Sequence, residues 1–281
     1  MATLGTLFLV ATPIGNLGDV TARAVETLRA CDRVLAEDTR RTRQLLTHLG
    51  IAGKPVERLD AHAGQRDVAR VVERLAASER VALVTDAGTP GVSDPGEALV
   101  RAALDAGATV VPIPGASAVL AAIVASGLAG DGRFRFLGFL PREGPPRREA
   151  IALVCETPEA VVLFEAPGRV RATLGELADA TPGRGACVAR ELTKVHEEFV
   201  RSSCADLAAD EREWIGEIVI VLGPHAPEDR TVRIDDAALD ARIDEALARG
   251  DHARTVADRL AAWSGRPRRQ VYERVVERKK R

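Results

Sequence analysis

Thr85-Asp86-Ala87-Gly88-Thr89-Pro90-Gly91-Val92-Ser93-Asp94-Pro95-Gly96 sets two carboxylates among three glycines and two prolines, directly behind the apolar run Val81-Ala82-Leu83-Val84. Glycine and proline fix backbone shapes that most residues cannot follow, and Ser93 or Asp94 can cap a helix beginning near Glu97. A strand, rigid loop and helix in that order suit the holding of a ligand just outside the carboxyl end of a parallel strand. Three other stretches supply acids and bases: Glu37-Asp38-Thr39-Arg40-Arg41, Glu165-Ala166-Pro167-Gly168-Arg169 and Arg190-Glu191-Leu192-Thr193-Lys194-Val195-His196-Glu197-Glu198. Each also has a purely structural reading, as a helix cap or a solvated turn.

Spacing excludes other chemistries. Cys31, Cys155, Cys187 and Cys204 are scattered with no C-x-x-C pair, and His48, His62, His196, His225 and His252 lack an H-x-x-x-H spacing. Neither a zinc site nor a redox motif is expected, and no metal. The loop Thr12-Pro13-Ile14-Gly15-Asn16-Leu17-Gly18-Asp19 lacks G-x-G-x-x-G, which weakens a dinucleotide reading. A net charge of −2 argues against a globally basic nucleic-acid binder, so any RNA contact must come from a local patch. One such patch begins at Arg266, with eight Lys or Arg against two Glu. The apolar run at the start is short and follows no basic segment, and nowhere do about 18 apolar residues run together. A cytoplasmic protein without a membrane partner is therefore expected.

The elements that must position these residues follow from the apolar pattern. Strands at Thr6–Ala11, Val34–Ala36, Val56–Leu59, Val81–Val84 and Thr109–Ile113 alternate with helices at about 22–28, 42–49, 67–77, 97–104 and 117–126, which makes residues 1–130 a parallel α/β domain. From 131 to 224 the pattern changes. A strand Phe134–Leu140 runs into a basic, Pro-rich hinge through Arg147-Arg148, and the domain boundary is placed just before this strand, between residues 130 and 131. Strands Val161–Glu165, Ala186–Ala189, Glu197–Arg201 and Ile215–Leu222 then outnumber helices at about 169–180 and 205–209, a mixed α+β domain. The cleft between the two domains is the expected site. After a polar linker at about 224–236, three helices near 237–249, 255–263 and 267–280 form a small helix-turn-helix-like unit in 237–281.

Ala11-Thr12-Pro13-Ile14-Gly15-Asn16-Leu17, Glu37-Asp38-Thr39-Arg40, Asp86-Ala87-Gly88-Thr89-Pro90, Ser93-Asp94-Pro95-Gly96, Pro112-Ile113-Pro114-Gly115-Ala116-Ser117-Ala118, Gly138-Phe139-Leu140-Pro141 and Glu191-Leu192-Thr193-Lys194 together resemble the small-subunit ribosomal RNA methyltransferase I family, a branch of the tetrapyrrole methylase superfamily. The likeness runs collinearly from about Leu4 to Leu222, and the C-terminal helices resemble the family's appended helix-turn-helix domain. It implies S-adenosyl-L-methionine as cofactor and methylation of a cytidine ribose 2′-hydroxyl in 16S ribosomal RNA, in the small ribosomal subunit, by a homodimer. It also implies cofactor contacts from Pro13, Asp86, Ala87, Gly88, Gly91, Ser117, Ala118, Glu165 and Leu192. Ala63-Gly64-Gln65 after His62 and Gly168 depart from the family pattern, which leaves His62 and Gly168 without assigned roles.

Methyl transfer from a sulfonium is an in-line displacement, so alignment and water exclusion can supply most of the catalysis. A 2′-hydroxyl is a poor nucleophile, and a positioned base would add ~10²–10⁴-fold. Glu37, Asp38, Glu191 and Lys194 are the candidates; Lys194 acts as a base only if neutral, and as a cation it would hold phosphate or stabilise the alkoxide. Two rival readings are a methyltransferase for a small tetrapyrrole, against which the basic tail counts, and a noncatalytic ribosome-binding factor.

Overall fold

Strand-forming apolar runs alternate with amphipathic helices in the first part of the chain, and they fold as the parallel α/β arrangement their order predicts. The computed structural model describes residues 4–59, 64–93, 96–225, 236–264 and 266–279. His62, the expected Asp94 cap, most of the expected linker and Lys280 lie outside the described residues. One unit comprises Met1–Ala121 with Glu191–Glu197, and a second comprises Ala122–Arg190 with Glu198–Arg281.

The first unit contains β1 (Thr6–Val10), α1 (Ala22–Ala30), β2 (Arg33–Ala36), α2 (Thr39–His48), β3 (Val56–Arg58), α3 (Gln65–Ala76), β4 (Arg80–Leu83), α4 (Glu97–Asp105) and β5 (Thr109–Ile113), followed by α5 (Ala118–Ser126). Its sheet is parallel, in the order β3-β2-β4-β1-β5. Ala24 and Leu28 of α1 and Leu46 of α2 pack with Val10, Val34, Ala82 and Ile113 on one face. Val71 and Leu75 of α3 and Leu99 and Ala103 of α4 pack with Leu7, Leu35, Val81 and Leu83 on the other. Each fully buried leucine contributes roughly 1.5–3 kcal/mol. Because β1 leads to a helix on one face and neighbouring β4 to a helix on the opposite face, their loops part at the carboxyl edge, where open α/β sheets bind ligands.

Local chemistry fixes the helix starts. The Thr21 hydroxyl accepts the Ala24 N–H at 3.2 Å, and the Asp38 carboxylate accepts the N–H groups of Arg40 at 2.7 Å and Arg41 at 3.3 Å. The expected Ser93 cap of α4 is not made. That helix starts from Gly96 with no side-chain cap, because a Cβ there would lie 2.9 Å from Leu83 Cδ2 and φ is +140°.

The second unit contains β6 (Phe134–Phe139), α6 (Gly144–Glu156), β7 (Ala160–Glu165), α7 (Val170–Ala180), β8 (Gly185–Arg190), β9 (Glu198–Ser203), α8 (Cys204–Ala209) and β10 (Ile218–Leu222). Its sheet runs β6-β7-β10-β8-β9, with only the β6–β7 pair parallel. All of β10 is buried, as befits a central strand of continuous Ile, Val and Leu. The supposed hinge through Arg147-Arg148 is instead the first turn of α6. Pro145 and Pro146 stand where helix N–H groups have no partner to lose, so a proline pair that reads as a breaker begins a helix. Arg147 is buried against Glu176 at 2.9 Å, the Thr173 hydroxyl at 3.0 Å and the Pro141 carbonyl at 3.1 Å. Arg184, also buried, donates to the carbonyls of Val154, Thr157, Glu159 and Gly223 at 2.7–3.2 Å and so ties the end of α6 to the sheet. All four cysteines are free and buried.

Three helices complete this unit: α9 (Asp236–Ala248), α10 (Ala253–Ser264) and α11 (Arg268–Lys279). They enclose their own core of Leu239, Ile243, Val256, Leu260, Val271 and Val275. Trp263 Nε1 donates to Glu156 of α6 at 2.6 Å, and Arg242 lies 4.4 Å over the Trp263 ring. The arginines of the basic patch face carboxylates. Arg266 pairs with Asp236 at 2.6 Å, Arg274 with Asp240 at 2.5 Å, Arg278 with Asp240 at 2.7 Å and also with Asp244, Arg268 with Asp258, and Arg269 with Glu273 at 2.9 Å.

Candidate active site

The loops that leave β1, β4 and β5 are zipped together by their main chains. Thr12 and Gly88 exchange N–H···O bonds at 2.9 and 3.0 Å, and the Ala11 N–H donates to the Ile113 carbonyl at 3.2 Å. The Thr12 hydroxyl donates to the Thr85 carbonyl at 3.2 Å, and the Thr89 hydroxyl donates to the Ala116 carbonyl at 3.2 Å. Close approach requires glycine at Gly115, where a Cβ would sit 2.9 Å from Ala11 Cβ. Gly88 and Gly91 hold φ of +83° and +82°, the left-handed region that side chains disfavour. Among the described residues, a Cβ at Gly91 would meet nothing within 4 Å, so that edge is open there.

Two carboxylates stand at the end of β2. Asp38 is the cap of α2, and the N–H groups of Arg40 and Arg41 hold its carboxyl below the usual range; it is thereby a poor proton acceptor. Glu37, half-buried, sits one residue earlier at the same strand end. Asp86 reaches toward them: its Oδ1 accepts the Asp38 N–H at 3.0 Å and its Oδ2 lies 3.5 Å from Arg41.

The stretch Glu191–Glu197, expected with the second domain, packs into the first unit. It is seated on Gly15, where a Cβ would lie 2.5 Å from Lys194 Cγ, 2.9 Å from Thr193 Oγ1 and 3.1 Å from the Leu192 carbonyl. The Asn16 N–H donates to Thr193 Oγ1 at 3.0 Å. Glu191 and Thr193 hold φ of +51° and +66° on either side of buried Leu192, and such local strain clusters at working sites. Lys194 donates to Glu191 at 2.9 Å, and the Thr193 N–H donates to Glu197 at 2.6 Å. The pair uses Lys194 as an ammonium, which favours the electrostatic role over that of a base.

Pro13, Asp86, Ala87, Gly88, Gly91, Ser117, Ala118, Leu192, Glu37, Glu191 and Lys194 thus all belong to the first unit. Pro13, Gly88 and Leu192 are buried, Asp86, Ser117, Ala118, Glu191 and Lys194 are half-buried, and Ala87 and Gly91 are exposed. Glu165 belongs to the second unit and is committed there. Its carboxylate accepts from the Thr173 hydroxyl at 2.6 Å and from the Ala166 N–H at 2.9 Å, and pairs with Arg169 at 3.0 Å. Gly168 is exposed, with open space where a Cβ would stand.

Sequence reasoning passed over Gly15, Thr42 and the pairing of Asp86 with Arg41. The glycine inside Thr12-Pro13-Ile14-Gly15-Asn16 was the available signal. Pro13, Leu17, Arg41, Thr42, Leu45 and Asp86 help to line a cavity of about 220 Å³ in this unit.

Comparison with known proteins identifies the family and the fold. The family model for tetrapyrrole (corrin/porphyrin) methylases matches residues 6–208. A Synechocystis protein named "Ribosomal RNA small subunit methyltransferase I" is 42% identical over 98% of this chain and 98% of its own length. One of the same name from Xylella fastidiosa is 42% identical, with 97% and 99% covered. Among solved structures, diphthine synthase matches with a TM-score of 0.61 at 20% identity over 79% of this chain and 92% of that one. Uroporphyrin-III C-methyl transferase from Thermus thermophilus, complexed with S-adenyl homocysteine, matches with 0.56 at 20% identity over 78% and 97%. These two share the fold.

Proposed function

Because the chain belongs to the ribosomal RNA small subunit methyltransferase I family of tetrapyrrole methylases, we propose that it methylates the ribose 2′-hydroxyl of a cytidine in 16S ribosomal RNA. S-adenosyl-L-methionine supplies an electrophilic methyl group on a sulfonium. The residues present fit that group: the carboxyl edge of the first sheet, held by the Thr12–Gly88 main-chain bonds, offers small side chains at Ser117 and Ala118 and, among the described residues, open space beside Gly91. Pro13, Asp86, Ala87, Gly88, Gly91, Ser117, Ala118 and the buried Leu192, all of the first unit, are the proposed contacts.

The observation that carries the reading is the seating of the Glu191–Lys194 ion pair on Gly15, in the same loop as Pro13 and Thr12. That places a cation and a carboxylate beside the proposed cofactor shelf. In this scheme Glu37 or Glu191 accepts the 2′-hydroxyl proton, and the Lys194 ammonium stabilises the developing alkoxide or steadies a neighbouring phosphate. Small residues on the shelf let the reactants approach in line.

The substrate form is the assembled small subunit, and the enzyme works as a homodimer in the cytoplasm. Leu120 and Val124, one turn apart on α5 and 54% and 75% exposed, are apolar side chains that a second copy could cover. Among the described residues no helix is long and apolar enough to cross a membrane.

The decisive experiment incubates the protein with labelled cofactor and either free 16S RNA or small subunits, then maps 2′-O-methyl groups. A single modified cytidine is expected. Transfer to a porphyrinoid and none to RNA would establish the small-tetrapyrrole alternative instead, and cofactor binding without transfer to either would point to a noncatalytic factor.

A further inference from the structure

We propose that the cavity beside Asp86 receives the base of the target nucleotide and reads its cytosine edge through Asp86 and Arg41, an inference that rests on the RNA methyltransferase reading above. The cavity, about 220 Å³, lies wholly within the first unit. At ~30 Å³ per water it has room for roughly seven waters. That is below the ~300–1,000 Å³ of pockets for drug-sized ligands and suits a single ring. Pro13, Leu17 and Leu45 give it apolar walls, the surface on which an extruded base packs.

Its polar groups are the informative part. Thr42 is 4% exposed and lines the cavity, where its hydroxyl can donate to or accept from a ligand group. Asp86 uses one oxygen for the Asp38 N–H and turns the other to Arg41 across 3.5 Å; each oxygen keeps a lone pair. Arg41 is 66% exposed at its side chain, and among the described residues this long ion pair is its one side-chain bond. A pair so long and solvated opens at little cost.

Cytosine presents an amino donor beside two acceptors. A carboxylate accepts from that amino group, and a guanidinium donates to the acceptors. Uracil would turn a carbonyl oxygen toward the Asp86 carboxylate, which repels it. Because Pro13 and Asp86 border both the cavity and the proposed cofactor shelf, a base held here keeps its ribose close to the methyl donor.

The test uses small subunits carrying cytidine or uridine at the methylated position, with single-turnover rates at saturating cofactor for the wild-type protein and for Asp86→Asn, Arg41→Met and Thr42→Val. Wild-type protein is expected to prefer cytidine by about 10–100-fold. Asp86→Asn, which can offer an amide N–H to uracil, should bring the ratio within about threefold of unity. A ratio taken within one protein is insensitive to any change in cofactor affinity. Arg41→Met and Thr42→Val should slow cytidine transfer at least fivefold, with calorimetric cofactor Kd within about twofold. Equal wild-type rates on the two bases would overturn the proposal, as would an unchanged ratio in Asp86→Asn. A rise in cofactor Kd in Arg41→Met or Thr42→Val at an unchanged ratio would overturn it too, by giving the cavity to the cofactor. Transfer to neither RNA would be a different failure, that of the activity itself, and would remove the base pocket with it.

Discussion

Replacing Gly15 by alanine tests whether the Glu191–Glu197 stretch is working machinery. Gly15 does not have a positive φ, so its backbone accepts alanine and the effect is steric alone. The new Cβ would sit 2.5 Å from Lys194 Cγ and 2.9 Å from Thr193 Oγ1, atoms near the roots of their side chains, and 3.1 Å from a main-chain oxygen. None of these can swing away as a side-chain tip could, so the stretch itself must recede. Overpacking of this kind costs ~1–3 kcal/mol. The lost Asn16–Thr193 bond is exposed and water replaces it. If the cost falls on the docked, active arrangement, ~1–3 kcal/mol corresponds to a ~5–150-fold slower single-turnover rate at 1.36 kcal/mol per tenfold. Cofactor Kd should change less than the rate, and the melting temperature of the first unit should hardly move. Gly168→Ala, where a Cβ meets nothing within 4 Å among the described residues, is the control. A Gly15→Ala protein that transfers methyl within twofold of wild type would refute the argument.

Three further outcomes are expected. Asp86→Ala and Gly88→Val should each raise cofactor Kd about tenfold or more by calorimetry without unfolding the unit, Gly88→Val more sharply because valine must adopt φ near +83°; wild-type affinity in both would remove the proposed shelf. Deleting the chain after Asp236 should weaken methylation of small subunits and lower the melting temperature of the second unit, since it removes the Trp263–Glu156 contact. The salt slope of RNA binding should fall by only about two units, at ~0.7 per charge for single strands, because five of the eight cations of the patch, Arg266, Arg268, Arg269, Arg274 and Arg278, already face carboxylates; a fall of five or more would mean that these arginines reach phosphate. The hydrogen bond from Arg274, with the charge of Arg278, holds the Asp240 carboxyl below its usual range, so its stabilisation is complete above the unfolded value of ~3.9 and is lost as pH falls through the lower folded value. Trp263 emission should follow that acid transition, and Asp240→Asn should flatten it; an identical pH profile in Asp240→Asn would exclude the pair.

Local signals made the first unit readable. Val81–Val84 and Thr6–Ala11 are apolar runs closed by glycine and proline, and each ends where a strand ends or within two residues of it. The cap at Asp38 and the helix after Ser117 were equally legible, because capping needs only neighbours in sequence. What escaped depended on partners far along the chain. Gly144–Glu156 read as a hinge since Pro145-Pro146 breaks a helix anywhere but its first turn, and nothing nearby announced that Arg147 would be buried against Glu176, 29 residues on. The basic tail read as free charge because the aspartates that meet Arg274 and Arg278 lie 34 residues upstream, on another helix. Likewise, the seat of Lys194 on Gly15 joins residues that no local pattern relates.

The buried thiols give the molecule an internal clock for opening. Burial pushes the Cys204 thiol up to about 11 and raises those of Cys31 and Cys187, so an alkylating reagent near neutral pH finds almost no thiolate at these three sulfurs in the folded chain. Labelling then waits on excursions that expose the sulfur. Cys31 lies in the first unit and Cys155, Cys187 and Cys204 in the second, so peptide-resolved labelling rates time the opening of each unit separately in the unmodified protein. Added S-adenosyl-L-methionine should slow the Cys31 clock by the factor 1 + [L]/Kd if its binding is carried by the first unit.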